Sequence, residues 1–168
     1  MLDYYKQIVT GQFEAALSMM HHCLATCPTE HWEGMIVRGS FRYVAYHTLF
    51  FADFYLAKNE SAFALSHFNQ LGGDERGEDI TPGLDRDNAI NYLGHCRQKM
   101  RDVLAAETIE SLHGPSGFSR LTFTRGELHI YNMRHIQHHT GQLGAYLRRL
   151  GVDDADHRKI PWIATGWR

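Results

Sequence analysis

The chain is poor in the residues that staple, span or steer a protein. Of its 168 residues only three are cysteine: Cys23, Cys27 and Cys96, an odd number with no C-x-x-C pair. That argues against a disulfide framework and fits reduced thiols in a cytoplasmic protein. No run approaches the roughly 18 uninterrupted apolar residues of a membrane span. Met1-Leu2-Asp3 begins no basic-then-apolar leader, so neither secretion nor a membrane is expected. Charge of either sign is not in excess: 17 Lys and Arg against 19 Asp and Glu give a formal net charge of -2. A balance so even leaves no electrostatic footprint for nucleic acid or an anionic lipid surface. There is no repeat and no low-complexity tract, and the length suits a single domain over 1–168.

What the chain does have is histidine, 12 of them, within a composition that is 43% hydrophobic and 12% aromatic. Histidine is the commonest metal ligand and titrates near neutral pH. About three quarters of these histidines read as ordinary solvated residues, so the question is which of the rest share a site.

The apolar pattern is helical nearly throughout, which makes the fold class all-α. A first helix is expected from an N-cap at Asp3 to about Ala25, weakened at Gly11 and ended by Pro28. A second begins after Ser40 and ends near Lys58. Asn69 to Asp79 is polar and glycine-rich, and Thr81-Pro82-Gly83 closes it. A link this long is what a four-helix bundle needs where its second and third helices run parallel. A third helix fits Asp85 to about Leu112, stopped by Gly114-Pro115-Ser116-Gly117. The fourth has a capping box, Thr124 with Glu127 three residues on, and runs to about Leu150 before Gly151. The tail, from Asp153, is expected to pack back through Trp162 and Trp167.

Two helical wheels then select residues. On the fourth helix Leu128, Asn132, Ile136, Leu143 and Leu147 fall within an arc of about 100°. His139 lies in the middle of that arc and His135 at its edge. His138 lies about 80° outside it, toward the polar flank. On the second helix Tyr43, Val44, Phe50, Phe51 and Phe54 lie within about 60° of His47, so His47 sits amid an aromatic face. A buried imidazole needs a partner. It could be a core histidine bonded to a hydroxyl or a carbonyl, or it could meet His135 and His139 across the bundle. Three neutral imidazoles on one ion leave a coordination position open, the layout of a catalytic site. Gln142, three residues after His139, and Tyr131, four before His135, are candidates to orient the rings. For Tyr131 an ordinary packing role is the simpler reading.

An aromatic helix with Ala45-Tyr46-His47, then Arg134-His135-Ile136-Gln137-His138-His139-Thr140-Gly141-Gln142-Leu143 near the C-terminus, resembles the DinB superfamily. The resemblance implies an up-down-down-up four-helix bundle with a long crossover between its second and third helices. It also implies a homodimer, and one divalent metal per chain, nickel or zinc, held by His47, His135 and His139. Relatives include transferases that use low-molecular-weight thiols, so the resemblance implies a metal-dependent S-transferase with such a thiol as partner. A hydrolase using metal-bound water and a non-catalytic metal-binding dimer are the alternatives. None of the three cysteines has a neighbour that would activate it, so a thiol substrate would be external.

Overall fold

The computed structural model describes residues 1–36, 39–73, 83–151 and 160–167, and among them it is helical with no strand. Four long helices carry the fold: α1 (Leu2–Thr26), α2 (Phe41–Tyr55), α4 (Arg86–Ala106) and α6 (Arg125–Arg149). Two short ones, α3 (His67–Gly72) and α5 (Ile109–His113), lie in the links. Three of the long helices start where a side-chain oxygen takes up an orphan backbone N–H. Ser40 accepts from Tyr43 N, Asp85 from Asn88 N and Thr124 from Glu127 N. The Glu127 carboxylate reciprocates at Thr124 N, 3.0 Å away.

Three helix ends differ from the sequence expectation. α1 begins at Leu2, and Asp3 falls in its first turn, where a carboxylate still suits the positive end of the helix dipole. α1 also continues through Gly11. Gly166 N donates to Gly11 O at 2.9 Å, and a Cβ on Gly11 would lie 2.7 Å from Thr165 Oγ1, so glycine here makes room for the returning tail. α2 stops at Tyr55, short of Lys58. The third long helix stops at Ala106, not near Leu112. Glu107 turns extended there, its side chain drawn to Arg125 and His129, and Thr108 caps the short helix α5.

α1 and α2 each pack on both α4 and α6. Phe13, Leu17 and Met20 of α1 meet Phe41, Leu49 and Phe50 of α2, Leu93 and Met100 of α4, and Leu128, Ile136 and Leu143 of α6 in one buried cluster. α2 and α6 run antiparallel: rings meet at Tyr55–Tyr131, Phe51–His135, His47–His139 and Phe41–Tyr146. Asn132 Nδ2 donates to Ala52 O midway, at 2.9 Å. The link from α2 to α4 contains a 3-10 turn at Glu60–Ala62 and α3, while the middle of the glycine-rich stretch, 74–82, lies outside the described residues. Of the tail tryptophans only Trp167 packs back, with the Arg97 guanidinium 4.0 Å from its ring, whereas Trp162 is 81% exposed. Ile163 takes the anchoring role, buried against Ala15 and Met19.

Candidate metal centre

α2 is buried at every position except Arg42, Tyr43, His47, Phe51 and Tyr55. The last four recur every fourth residue, so they share one stripe of the helix. α6 faces that stripe with His135 and His139, also four apart and both half-buried. The three imidazoles converge. Ring centroids are 5.3 Å apart for His47–His135, 4.9 Å for His47–His139 and 4.6 Å for His135–His139. One nitrogen from each ring lies within 4.8 Å of the other two. Among the described residues no other group of three His, Cys, Asp or Glu side chains comes together this way.

The donor spacing can be tested against an ion. His135 Nε2 and His47 Nε2 are 3.4 Å apart. A hydrogen bond between ring nitrogens would bring them to about 2.9–3.0 Å. Two nitrogens each bound at about 2.0–2.1 Å with a tetrahedral angle would stand about 3.4 Å apart. The observed gap suits a shared ion better than a shared proton. His135 is also held neutral: burial first, then the proximity of His139, His47 and His138, lowers its pKa to about 3. His139 is lowered as well, chiefly by burial. At neutral pH both rings therefore offer a lone pair with no proton to displace.

Gln142 orients His139. Its Oε1 accepts from His139 Nδ1 at 2.8 Å, which leaves Nε2 as the free lone pair of that ring. Its amide nitrogen donates to His138 Nε2 at 3.2 Å, so His138, exposed, stands beside the group and outside it. Tyr131 packs on Phe123 and Tyr55, and the Tyr55 ring also meets that of His135. Among the described residues, the buried side-chain atoms that lack a hydrogen-bond partner, His129 Nδ1, Asn132 Oδ1, His135 Nδ1 and Thr140 Oγ1, all lie on α6. Such groups are costly to bury, and their concentration on the helix that supplies two of the three histidines marks it as more than scaffold.

A cavity of about 540 Å³ opens on the histidines. Ile36, Gly39, Tyr43 and Val44 line it together with His47, His139 and Gln142. Beside it, Gly34 and Gly39 let two aromatic rings come close. A Cβ on Gly39 would overlap the Tyr43 ring, and one on Gly34 would overlap the Tyr146 hydroxyl. Ile36, Gly39 and Tyr43 are the site residues that the sequence reading overlooked, and the paired glycines were the available signal. The described ends of the link that follows α2 are tied down by Tyr46, one residue and so about 100° from His47, which donates to Gly73 O, and by Trp32 Nε1, which donates to Leu84 O at 2.9 Å. A larger depression of about 610 Å³, between 59–61 and 115–123, carries Glu60 as its one ionisable side chain and offers no comparable chemistry.

The family model of the DinB superfamily matches residues 12–143, a stretch that includes all three histidines and Gln142. The chain belongs to the DinB superfamily. No curated protein and no solved structure matches it. The fold agrees with this membership, since a DinB-like protein is an all-helical bundle, and the three-histidine group fits a family associated with metals. No helix among the described residues is long and apolar enough to cross a membrane.

Proposed function

We propose that His47, His135 and His139 hold one divalent transition metal, nickel or zinc, and that this DinB protein is a metal-dependent transferase with a low-molecular-weight thiol as co-substrate. The observation that carries the reading is a convergence of three imidazoles, two of which, His47 and His139, line a cavity. A structural metal site closes over its ion, whereas a catalytic one keeps a position open to a space that a substrate can enter. A bound ion there would act as Lewis acid and lower the pKa of the thiol or water beside it.

The protein's own residues supply the rest. Gln142 fixes the His139 tautomer, and burial keeps His135 deprotonated. The aromatic flank of Tyr43 and Phe51 on His47 holds that ring and limits water around it. An internal thiol does not fit the nucleophile's role. Burial raises the Cys23 thiol to about 12 and Cys27 to about 11, and Cys96 also lies well above the ordinary thiol range. None of the three lines the cavity. The thiol must then come from outside, which favours a transferase that takes a small thiol.

Metal content of protein purified without an affinity tag tests the centre. We expect about one ion per chain in the wild type and a large loss in His139→Ala, and equal stoichiometry in both would overturn the assignment. A panel of small thiols with electrophilic acceptors tests the reaction. Turnover should disappear in His47→Ala and persist when all three cysteines are serine. A metal-loaded protein inactive with every thiol would favour hydrolysis or a non-catalytic site.

A further inference from the structure

The exposed stripe of α2 continues beyond the histidines. Tyr43, His47, Phe51 and Tyr55 form a ladder of rings, with successive centroids 6.0, 4.9 and 5.6 Å apart. Twelve residues of helix separate its ends, about 18 Å along the axis. The cavity described above lies at the Tyr43 end. At the Tyr55 end is a second cavity of about 470 Å³, bounded by Phe51, Tyr55, Phe118, Glu60, Ser119 and Arg120. Phe51 joins it to the centre, since its ring is 4.9 Å from His47 and 5.8 Å from His135.

We infer that this second cavity is a subsite for the body of the substrate, and that it takes a planar aromatic ring bearing a carboxylate. Its volume falls in the range of small-molecule pockets. Phe51, Tyr55 and Phe118 give it aromatic walls, and Tyr55 and Phe118 already meet edge to face at 5.4 Å and 75°. A third ring extends that arrangement at the spacing aromatic pairs prefer. Two opposite charges line it, so a carboxylate would sit on the Arg120 side. Glu60 Oε2 is engaged by Ser119, from N–H at 3.1 Å and Oγ at 2.8 Å. Arg120 is exposed and has no ion-pair partner among the described residues, so it is the charge left to meet a ligand. A ring held here is one side chain, Phe51, away from the histidines. The subsite rests on the metal reading for its reaction, though not for its binding.

The probe is 2-naphthoate, with neutral 2-naphthamide as its control, titrated into chelator-treated protein and followed by saturation-transfer NMR. Naphthoate should bind saturably. Arg120→Gln should weaken it about three- to fivefold, the strength of an exposed ion pair, and leave naphthamide unchanged. Phe51→Ala should weaken both ligands about tenfold, with Phe51→Leu as the milder variant if the alanine protein misfolds. Added Co²⁺ should broaden the bound naphthoate signals in the wild type and not in His139→Ala. No saturable binding up to millimolar naphthoate, or binding indifferent to both Arg120 and Phe51, would overturn the subsite. Binding that depends on both residues yet ignores Co²⁺ would uphold the subsite and overturn the metal centre.

Discussion

Removing the Glu107 charge should cost this fold about 3 kcal/mol at neutral pH. Glu107 ends α4 and is 8% exposed. Its Oε1 accepts from Arg125 Nε and His129 Nε2, each at 2.9 Å, and its other oxygen accepts from Ser111. Arg125 in turn donates to Ala57 O at 2.7 Å, just past the C-terminal end of α2. The cluster thus ties the start of α6 to the end of α2 and α4, which helps to hold His135 and His139 opposite His47. Burial alone would raise the Glu107 pKa, but hydrogen bonds from His129, Ser111 and Arg125, with the Arg125 charge, outweigh it and lower it from 4.5 to about 2. Each unit is worth about 1.4 kcal/mol, which gives the figure of about 3. A carboxyl depressed in the folded state stabilises fully above its unfolded pKa, and that contribution is lost as pH falls from about 4.5 toward 2. Roughly 1.4 kcal/mol of it should be gone by pH 3.5. Urea unfolding followed by far-UV circular dichroism measures this in wild type and Glu107→Gln. At pH 6 the variant should be weaker by about 3 kcal/mol, because Arg125 keeps a buried charge without its partner, and the gap should shrink by about 1.4 kcal/mol at pH 3.5. A gap that stays constant across that range would refute the reasoning.

Gln142→Leu should keep the helical fold yet weaken metal binding about 10- to 100-fold, the usual cost of losing a group that orients a ligand; titration with a competing chelator measures it, and unchanged affinity would remove Gln142 from the site. The thiols of Cys23, Cys27 and Cys96 should react with a disulfide reagent at pH 8 far more slowly in the native protein than in denaturant, since all three are buried. One fast equivalent in the native state would contradict that burial.

The parts of the fold visible in the sequence were those decided locally. Ser40, Asp85 and Thr124 start helices through bonds to residues three positions on, and a cap of that kind needs nothing distant. The inward aim of His47, His135 and His139 is likewise a matter of helical phase. What escaped was decided by partners far along the chain. α4 ends early because Glu107 is drawn to Arg125, although the apolar pattern runs on to Leu112. Tyr131 has the right phase to serve His135, but Tyr55 arrives from α2 and packs on both rings. Trp162 looked like an anchor by its type, whereas Ile163 beside it found the space between Ala15 and Met19. The cavity wall at Ile36 and Gly39 depends on how a loop folds over Tyr43, which no wheel describes.

Most helices of a bundle have an outer face where mutations accumulate without consequence. α2 has almost none, because apart from Arg42 each of its solvent-reaching positions lies on the ladder of rings that holds His47. Any change there that leaves the core intact alters the surroundings of the histidines. Selection for a new substrate would therefore find its material at Tyr43, Phe51 and Tyr55, three half-buried positions at the rim of the core. A small combinatorial library at those three sites, screened on a fixed scaffold, would sample much of the specificity that this helix can encode.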